Sequence, residues 1–180
     1  MDGSPIDAAG RPVYLERFIH SEIYKARPDV IAVVHSHSPS VVPFGVVKGV
    51  PFLAVCHMSG FIGENTPIFE IREVTGDGTD LLVRNQEQGA ALAAKLGSSN
   101  VVLMRGHGST VVGRTLRQVV YRAVYTEVNA KLQSEALRLG PVTYLSAAEG
   151  QATDASISGQ IDRAWNLWQK EALETFEAQG

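Results

Sequence analysis

Two short apolar runs, VVLM at 101–104 and STVVG at 109–113, are separated only by RGHG. A link that short between β-branched segments reads as a hairpin, so the two runs are adjacent antiparallel strands with His107 at the tip. A third β-branched run, VIAVVHSHS from Val30, reads as another buried strand. VPFLAVCHM from Val50 has the same look, and FEIREV from Phe69 alternates like a strand until GDG at 76–78 breaks it.

Helical patterns lie between these runs. From Tyr14 to Ala26, Leu15, Phe18, Ile19 and Ile23 recur at helical spacing, and Pro28 closes the segment. Asn85 can cap a helix to about Leu96, with Gln88 three residues on and Gly97 as the stop. Thr115, with Gln118 completing a capping box, opens the longest helix, which ends at Gly140-Pro141. After a polar stretch at 146–156, Ile157, Ile161, Trp165, Trp168, Ala172 and Phe176 form one apolar stripe, predicting a C-terminal helix over 157–177. Residues 1–13, rich in Gly, Pro and Asp, read as an arm. With no repeat and no composition break, the expectation is one domain over 1–180, of α/β or α+β class, a sheet covered by helices.

A net charge of −3 gives no general attraction to nucleic acid or to an anionic membrane. No apolar run approaches the roughly 20 residues of a membrane helix. The N-terminus lacks the basic start and apolar stretch of a signal peptide, and the only cysteine is Cys56, so a cytoplasmic protein without disulfides is expected.

His35 and His37 sit two apart at the end of a strand, where alternate side chains project to one face. Two such imidazoles can grip one ion, or be two ordinary strand-end histidines. His107, between glycines at the hairpin tip, is unobstructed: a third ligand, or an exposed turn residue. Glu16 lies on the helix that precedes the histidine strand, and spacing alone favours a solvated surface carboxylate. His20, one helical turn on, suits packing or support of a ligand. His57 follows the LAVC run and precedes SGFIG, as a proton donor, a substrate contact or a plain surface residue. Arg105 is either a clamp for a substrate carboxylate or a structural ion-pair partner. Tyr121, Tyr125, Glu127, Trp165 and Trp168 read as packing or contact residues.

The stretch LERFIHSEIYKARPDVIAVVHSHSPSVVPFG together with VVLMRGHGSTVVG resembles the class II aldolase/adducin family, over about residues 10 to 175. The resemblance implies an α/β/α fold with a central, mostly antiparallel sheet. It also implies one divalent ion per chain, Zn2+ or Mn2+, held by Glu16, His35, His37 and His107, and so overturns the surface reading of Glu16. HMSGFIGE, FEIRE, MRGHG and RAVYTEVNAKLQ resemble the branch of metal-dependent decarboxylases acting on hydroxy-methylpyridine dicarboxylate and dihydroxyphthalates. Sugar-phosphate aldolases usually carry HNHA-like and HHG-like versions instead.

What this implies is a carbon–carbon lyase that decarboxylates a hydroxylated aromatic or heteroaromatic acid. Glu16, Arg105 and His57 are its candidate catalytic residues. Arg105, His57 and Phe61 are the candidate contacts to a small anionic substrate, with Phe61 offering a stacking face. The alternatives are an aldolase or epimerase on a sugar phosphate, and a non-catalytic module like the adducin head. Family resemblance also implies a homotetramer with sites at subunit boundaries. Family members usually run some 40 to 60 residues longer at the N-terminus, so a missing N-terminal segment is expected here.

Overall fold

The RGHG hairpin forms as its spacing requires. In the computed structural model, which describes residues 3–178, the four strands are β1 (Ala32–Ser36), β2 (Ile68–Phe69), β3 (Val101–Met104) and β4 (Gly108–Gly113). The sheet order is β1-β4-β3-β2. β4 pairs antiparallel with β3 and with β1, placing Met104 opposite Gly108, His35 opposite Thr110 and Ala32 opposite Gly113. Only β2 runs parallel to its neighbour β3, so the sheet is mostly antiparallel. The terminal pairs Met1-Asp2 and Gln179-Gly180, included in the expected 1–180 domain, lie outside the described residues.

Alternation along each strand divides the core in two. Val33, Val102, Met104 and Val112 face one way and pack with Ile19 and Ile23 of α1 (Arg17–Ala26) and Leu92 and Leu96 of α4 (Gln86–Leu96). Ala32, Val101, Leu103 and Val111 face the other way, toward Val119 and Ala130 of α5 (Leu116–Leu139), with α7 (Ile161–Glu177) behind it. The result is helices on both faces of a sheet, the expected α/β/α arrangement. α1 and α4 approach closely because Gly89 has no side chain: a Cβ there would lie 2.5 Å from the Phe18 carbonyl.

The caps at Asn85 and Thr115 form, each side chain accepting the N–H three residues on. Gln118 differs from expectation, since its side chain accepts the N–H of Arg114 rather than that of Thr115. Residues 3–13 contain no helix or strand.

Three segments depart from the sequence reading. VPFLAVCHM is extended but belongs to no strand. Asn129 and Gln133 of α5, both fully buried, supply its partners instead. Gln133 accepts from Leu53 N–H at 3.2 Å and donates to the Pro51 carbonyl at 2.6 Å. Asn129 donates to the Leu53 carbonyl at 2.8 Å and accepts from Val55 N–H at 3.0 Å. One turn apart on the helix, the two amides mimic a neighbouring strand. The chain then enters a 3-10 helix at His57–Ile62.

FEIREV supplies only Phe69 to the two-residue strand β2, because β3 itself stops at Met104; Arg105 N–H to the Phe69 carbonyl is the last link, and the chain turns into α3 (Arg72–Thr75). The polar stretch from 146 is a helix, α6 (Ala147–Ser158), opened by a capping box between Ser146 and Glu149. Ile157 therefore belongs to α6, and α7 starts at Ile161 after a break at Gly159-Gln160. Ile161, Ala164 and Trp168 of α7 pack against the core, whereas Phe176 is 77% exposed. A short helix, α2 (Val42–Val46), follows the histidine strand. Among the described residues no helix is long and apolar enough to cross a membrane.

Candidate metal centre

Period-two alternation sends His35 from the end of β1 to the α1 side of the sheet, and His37 continues on that side. His107 reaches the same point from the β3–β4 turn. Gly106, at φ +68°, turns the chain there in the left-handed region, and Gly108 lets the turn close against β1: a Cβ at Gly108 would sit 2.1 Å from the Ser36 carbonyl. Glu16 stands at the head of α1 but leaves its own helix uncapped; its Oε1 accepts the N–H of Val83 at 3.0 Å. Four ligand atoms, one from each of Glu16, His35, His37 and His107, lie within 4.8 Å of one another.

The hydrogen bonds settle which ring nitrogens are free. His107 Nδ1–H donates to the Leu81 carbonyl at 2.9 Å, and His35 Nδ1–H donates to the Ser109 carbonyl at 3.1 Å. With the proton on Nδ1, each neutral ring presents a bare lone pair at Nε2. Those two Nε2 atoms lie 3.1 and 2.8 Å from His37 Nε2. Glu16 Oε2 stands 3.4 Å from His35 Nε2 and 3.6 Å from His107 Nε2. One proton on His37 could bridge to only one of its neighbours. A single cation satisfies all three nitrogens and the carboxylate, so the donor set fits a divalent metal ion.

Burial and exposure divide the site. The side chains of Glu16, His35 and His107 are 6%, 4% and 6% exposed, whereas His37 is exposed, leaving one side open to a ligand. Burial alone would raise the Glu16 carboxyl, but the Val83 N–H, together with the hydrogen bonds that His107 and His35 donate from Nε2 whenever their rings are protonated, outweighs it and holds the group far below the usual carboxylate range. Burial opposes protonation of His107, yet the hydrogen bond and charge of Glu16 raise its pKa. Burial lowers that of His37, and the neighbouring His107 and His35 add to the effect.

Two positioning residues are absent from the sequence reading. Leu81 supplies the carbonyl that fixes the His107 ring, and Val83 supplies the N–H that aims Glu16. Leu81 has φ +69°, rare for a branched side chain, and is held there as its N–H donates to Thr79 Oγ1 at 3.1 Å. Their contributions are backbone groups, which any residue carries. The polar Thr79-Asp80 pair ahead of them was the only available signal.

The remaining candidates are not among the four clustered ligands. Arg105 is ion-paired with Glu70, which also pairs with Arg72; Arg72, and then Arg105, hold the Glu70 carboxyl down to about 2. His57 is exposed at the start of the 3-10 helix. Phe61 is 4% exposed in the core on the α5 side, with the Arg122 guanidinium 5.7 Å above its ring. That face is occupied, so the expected stacking platform is not provided by Phe61. His20 packs edge-on against Tyr14. Tyr121 and Tyr125 stack with Trp168, Trp165 carries the Arg117 guanidinium, and Glu127 accepts from Ser40 Oγ at 2.7 Å.

Comparison with known proteins shows the family and the fold. The model of the class II aldolase and adducin N-terminal domain matches residues 1–134. The chain is 39% identical to decarboxylase tropJ of Talaromyces stipitatus, over 94% of this chain and 71% of that protein. It is 29% identical to 3,4-dihydroxyphthalate decarboxylase of Arthrobacter keyseri, over 68% of this chain but only 48% of the relative, about half its length. Its fold superposes on an aldolase II superfamily protein from Pseudomonas syringae with TM-score 0.71 and 21% identity, covering 94% of this chain and 68% of the other.

Proposed function

This chain belongs to the class II aldolase and adducin family, and we propose that it is a divalent-metal-dependent carbon–carbon lyase that decarboxylates a hydroxylated aromatic or heteroaromatic acid. The observation that carries this reading is the convergence of two fixed Nε2 lone pairs, a third imidazole and a carboxylate on one point with one open side. Similarity to decarboxylases, one of them acting on a dihydroxyphthalate, supports the reaction class.

Glu16, His35, His37 and His107 would hold the ion. When bound, it supplies Lewis acidity that stabilises negative charge developing on an oxygen beside the breaking bond. In the reaction the ring–carboxylate bond breaks, carbon dioxide leaves, and the electron pair left on the ring carbon takes a proton. His57, exposed at the start of the 3-10 helix, is the proposed donor. Arg105 is the proposed clamp for a second carboxylate, which would exchange with Glu70 for the guanidinium. Glu16, kept ionised by its surroundings, offsets ligand charge and is the proposed base when a proton must be removed.

Apolar residues left exposed on α5 and α7, among them Leu139, Leu173 and Phe176, support assembly into a homotetramer. Light scattering giving a monomer at micromolar concentration would count against that assembly.

The reaction is tested by loading the protein with manganese or zinc. It is then assayed for carbon dioxide release from hydroxyphthalates and hydroxypyridine dicarboxylates, beside fuculose- and ribulose-type phosphates. Release from an ortho-hydroxy acid is expected; turnover confined to the sugar phosphates would overturn the decarboxylase reading.

A further inference from the structure

At the end of the sheet opposite the histidines, where Ala32 pairs with Gly113, a cavity of about 400 Å³ opens between the strand ends, the head of α5 and the tail of α6. Its lining is almost entirely polar and includes Arg27, Arg114 and Arg122 with Asp29 and Asp154. Three guanidinium groups thus face two carboxylates.

Those carboxylates are unequally engaged. Asp29 is gripped by Arg27 through bonds of 2.8 and 2.9 Å, and Arg27 Nη1 donates to the Gly97 and Ser99 carbonyls. Asp154 stands 3.6 Å from Arg122 Nη2 and is 34% exposed. Arg122 is 7% exposed and locked in place, since its Nη1 donates to Asn100 Oδ1 and to the Val112 carbonyl, each at 2.9 Å. Its Nε is buried with no acceptor among the described residues. Arg114, exposed at the rim, makes no side-chain hydrogen bond or ion pair among the described residues. Gln118 spends its oxygen on the Arg114 N–H, leaving its amide N–H groups to donate. The positive end of the 24-residue helix α5 adds to the field.

A buried guanidinium with an unmatched N–H, in a polar cavity whose lining carries one excess positive charge, favours an anionic partner. We propose that this cavity binds a small oxyanion, a phosphate or a carboxylate, with Arg114 and Arg122 as charged donors and Gln118 as the neutral one. Ser109, which fixes the His35 ring, and Gly113, at the cavity, are four residues apart along β4, roughly 13 Å at strand rise, so this anion is distinct from any molecule at the metal cluster. The assignment stands independently of the lyase reading.

The test is calorimetric titration of the metal-loaded protein with inorganic phosphate and, separately, with succinate. Saturable binding of either is expected, the stronger arm naming the source. Arg114→Gln, at an exposed position, should weaken it about tenfold or more without changing the unliganded Tm. Arg138→Gln, an exposed arginine elsewhere on α5, should leave it unchanged. His37→Ala, which empties the metal cluster, removes any anion bound at the metal and should leave one saturable anion site in place, which separates the cavity from the metal cluster. Absence of saturable binding up to about 10 mM would overturn the proposal, as would undiminished binding in Arg114→Gln or loss of binding in His37→Ala.

Discussion

Glu16 and Val83 are 67 positions apart, yet Glu16 Oε1 accepts the Val83 N–H at 3.0 Å. Two residues earlier in the same loop, the Leu81 carbonyl takes the Nδ1–H of His107. One short backbone segment therefore orients two of the four proposed ligands, one through a donor and the other through an acceptor. Outer partners of this kind fix the ring tautomer and direct the carboxylate.

Removal of a ligand should empty the site. His37→Ala, a change at an exposed side chain, should lower bound metal per chain several-fold while the far-ultraviolet circular dichroism stays as in the wild type. Glu16→Gln keeps an acceptor for Val83 but loses the charge, and should weaken metal affinity about 10- to 100-fold. Elemental analysis after dialysis reads both; equal metal in wild type and His37→Ala would reject the site.

Acidity should act oppositely on the metal-free and metal-loaded forms. Glu16 raises the pKa of His107, so the metal-free protein gains stability from His107 when it is charged. That gain is fully present below the unfolded value of about 6.5 and is lost as pH rises through the raised folded value. Metal binding needs neutral imidazoles and strengthens over the same rise. The difference in Tm between loaded and metal-free protein should widen from about pH 5.5 to pH 8, as read by differential scanning fluorimetry. A constant difference would show that proton and metal do not compete.

Arg105 and Glu70 offer a separable test of the anionic substrate. Arg105→Lys keeps the charge but loses the planar fork, and should reduce kcat/KM on a dicarboxylate about tenfold or more with metal content unchanged. Glu70→Gln frees the guanidinium and should lower KM. Steady-state kinetics in which neither variant moves KM would remove Arg105 from the substrate site.

Gln133→Leu should be a severe fold mutation despite its similar size. It puts an apolar side chain in the fully buried Gln133 position and leaves the part-buried Leu53 N–H and Pro51 carbonyl without their amide partner. A loss of about 2–4 kcal/mol is expected, read from the urea midpoint. A change below about 0.5 kcal/mol would mean that water replaces the amide at no cost.

Much of the fold could be read from side-chain chemistry, because the relevant signals are side chains. The β-branched runs of β1, β3 and β4, the Asn85 and Thr115 caps and the His35–His37 spacing each act through the residue that displays them. Glu16 became legible only through family resemblance, since the elements that hold it are distant in sequence. The contacts that stayed hidden run through the backbone. Leu81 and Val83 act by their peptide groups. The 51–55 segment looks like a strand because its backbone is satisfied like one, only by helix amides. α6 docks on the 3-10 helix without an apolar stripe: a Cβ on Gly60 would lie 2.4 Å from the Gly150 carbonyl and 2.1 Å from Thr153 Oγ1, so the contact has no hydrophobic period to read.

The amides of Asn129 and Gln133 also limit what can grow on this molecule. An extended segment paired to a strand ends in another open row of donors and acceptors, a template on which a second molecule can add and a fibre can start. Here the row at Leu53 and Val55 terminates on two side chains of a helix, and the opposite edge is met by Leu145 N–H on the Ala54 carbonyl at 3.0 Å. Nothing propagates from either side. A helix that lends two amides to a strand-like segment thereby works as a built-in terminator, and losing it would convert a fold defect into a polymerisation hazard.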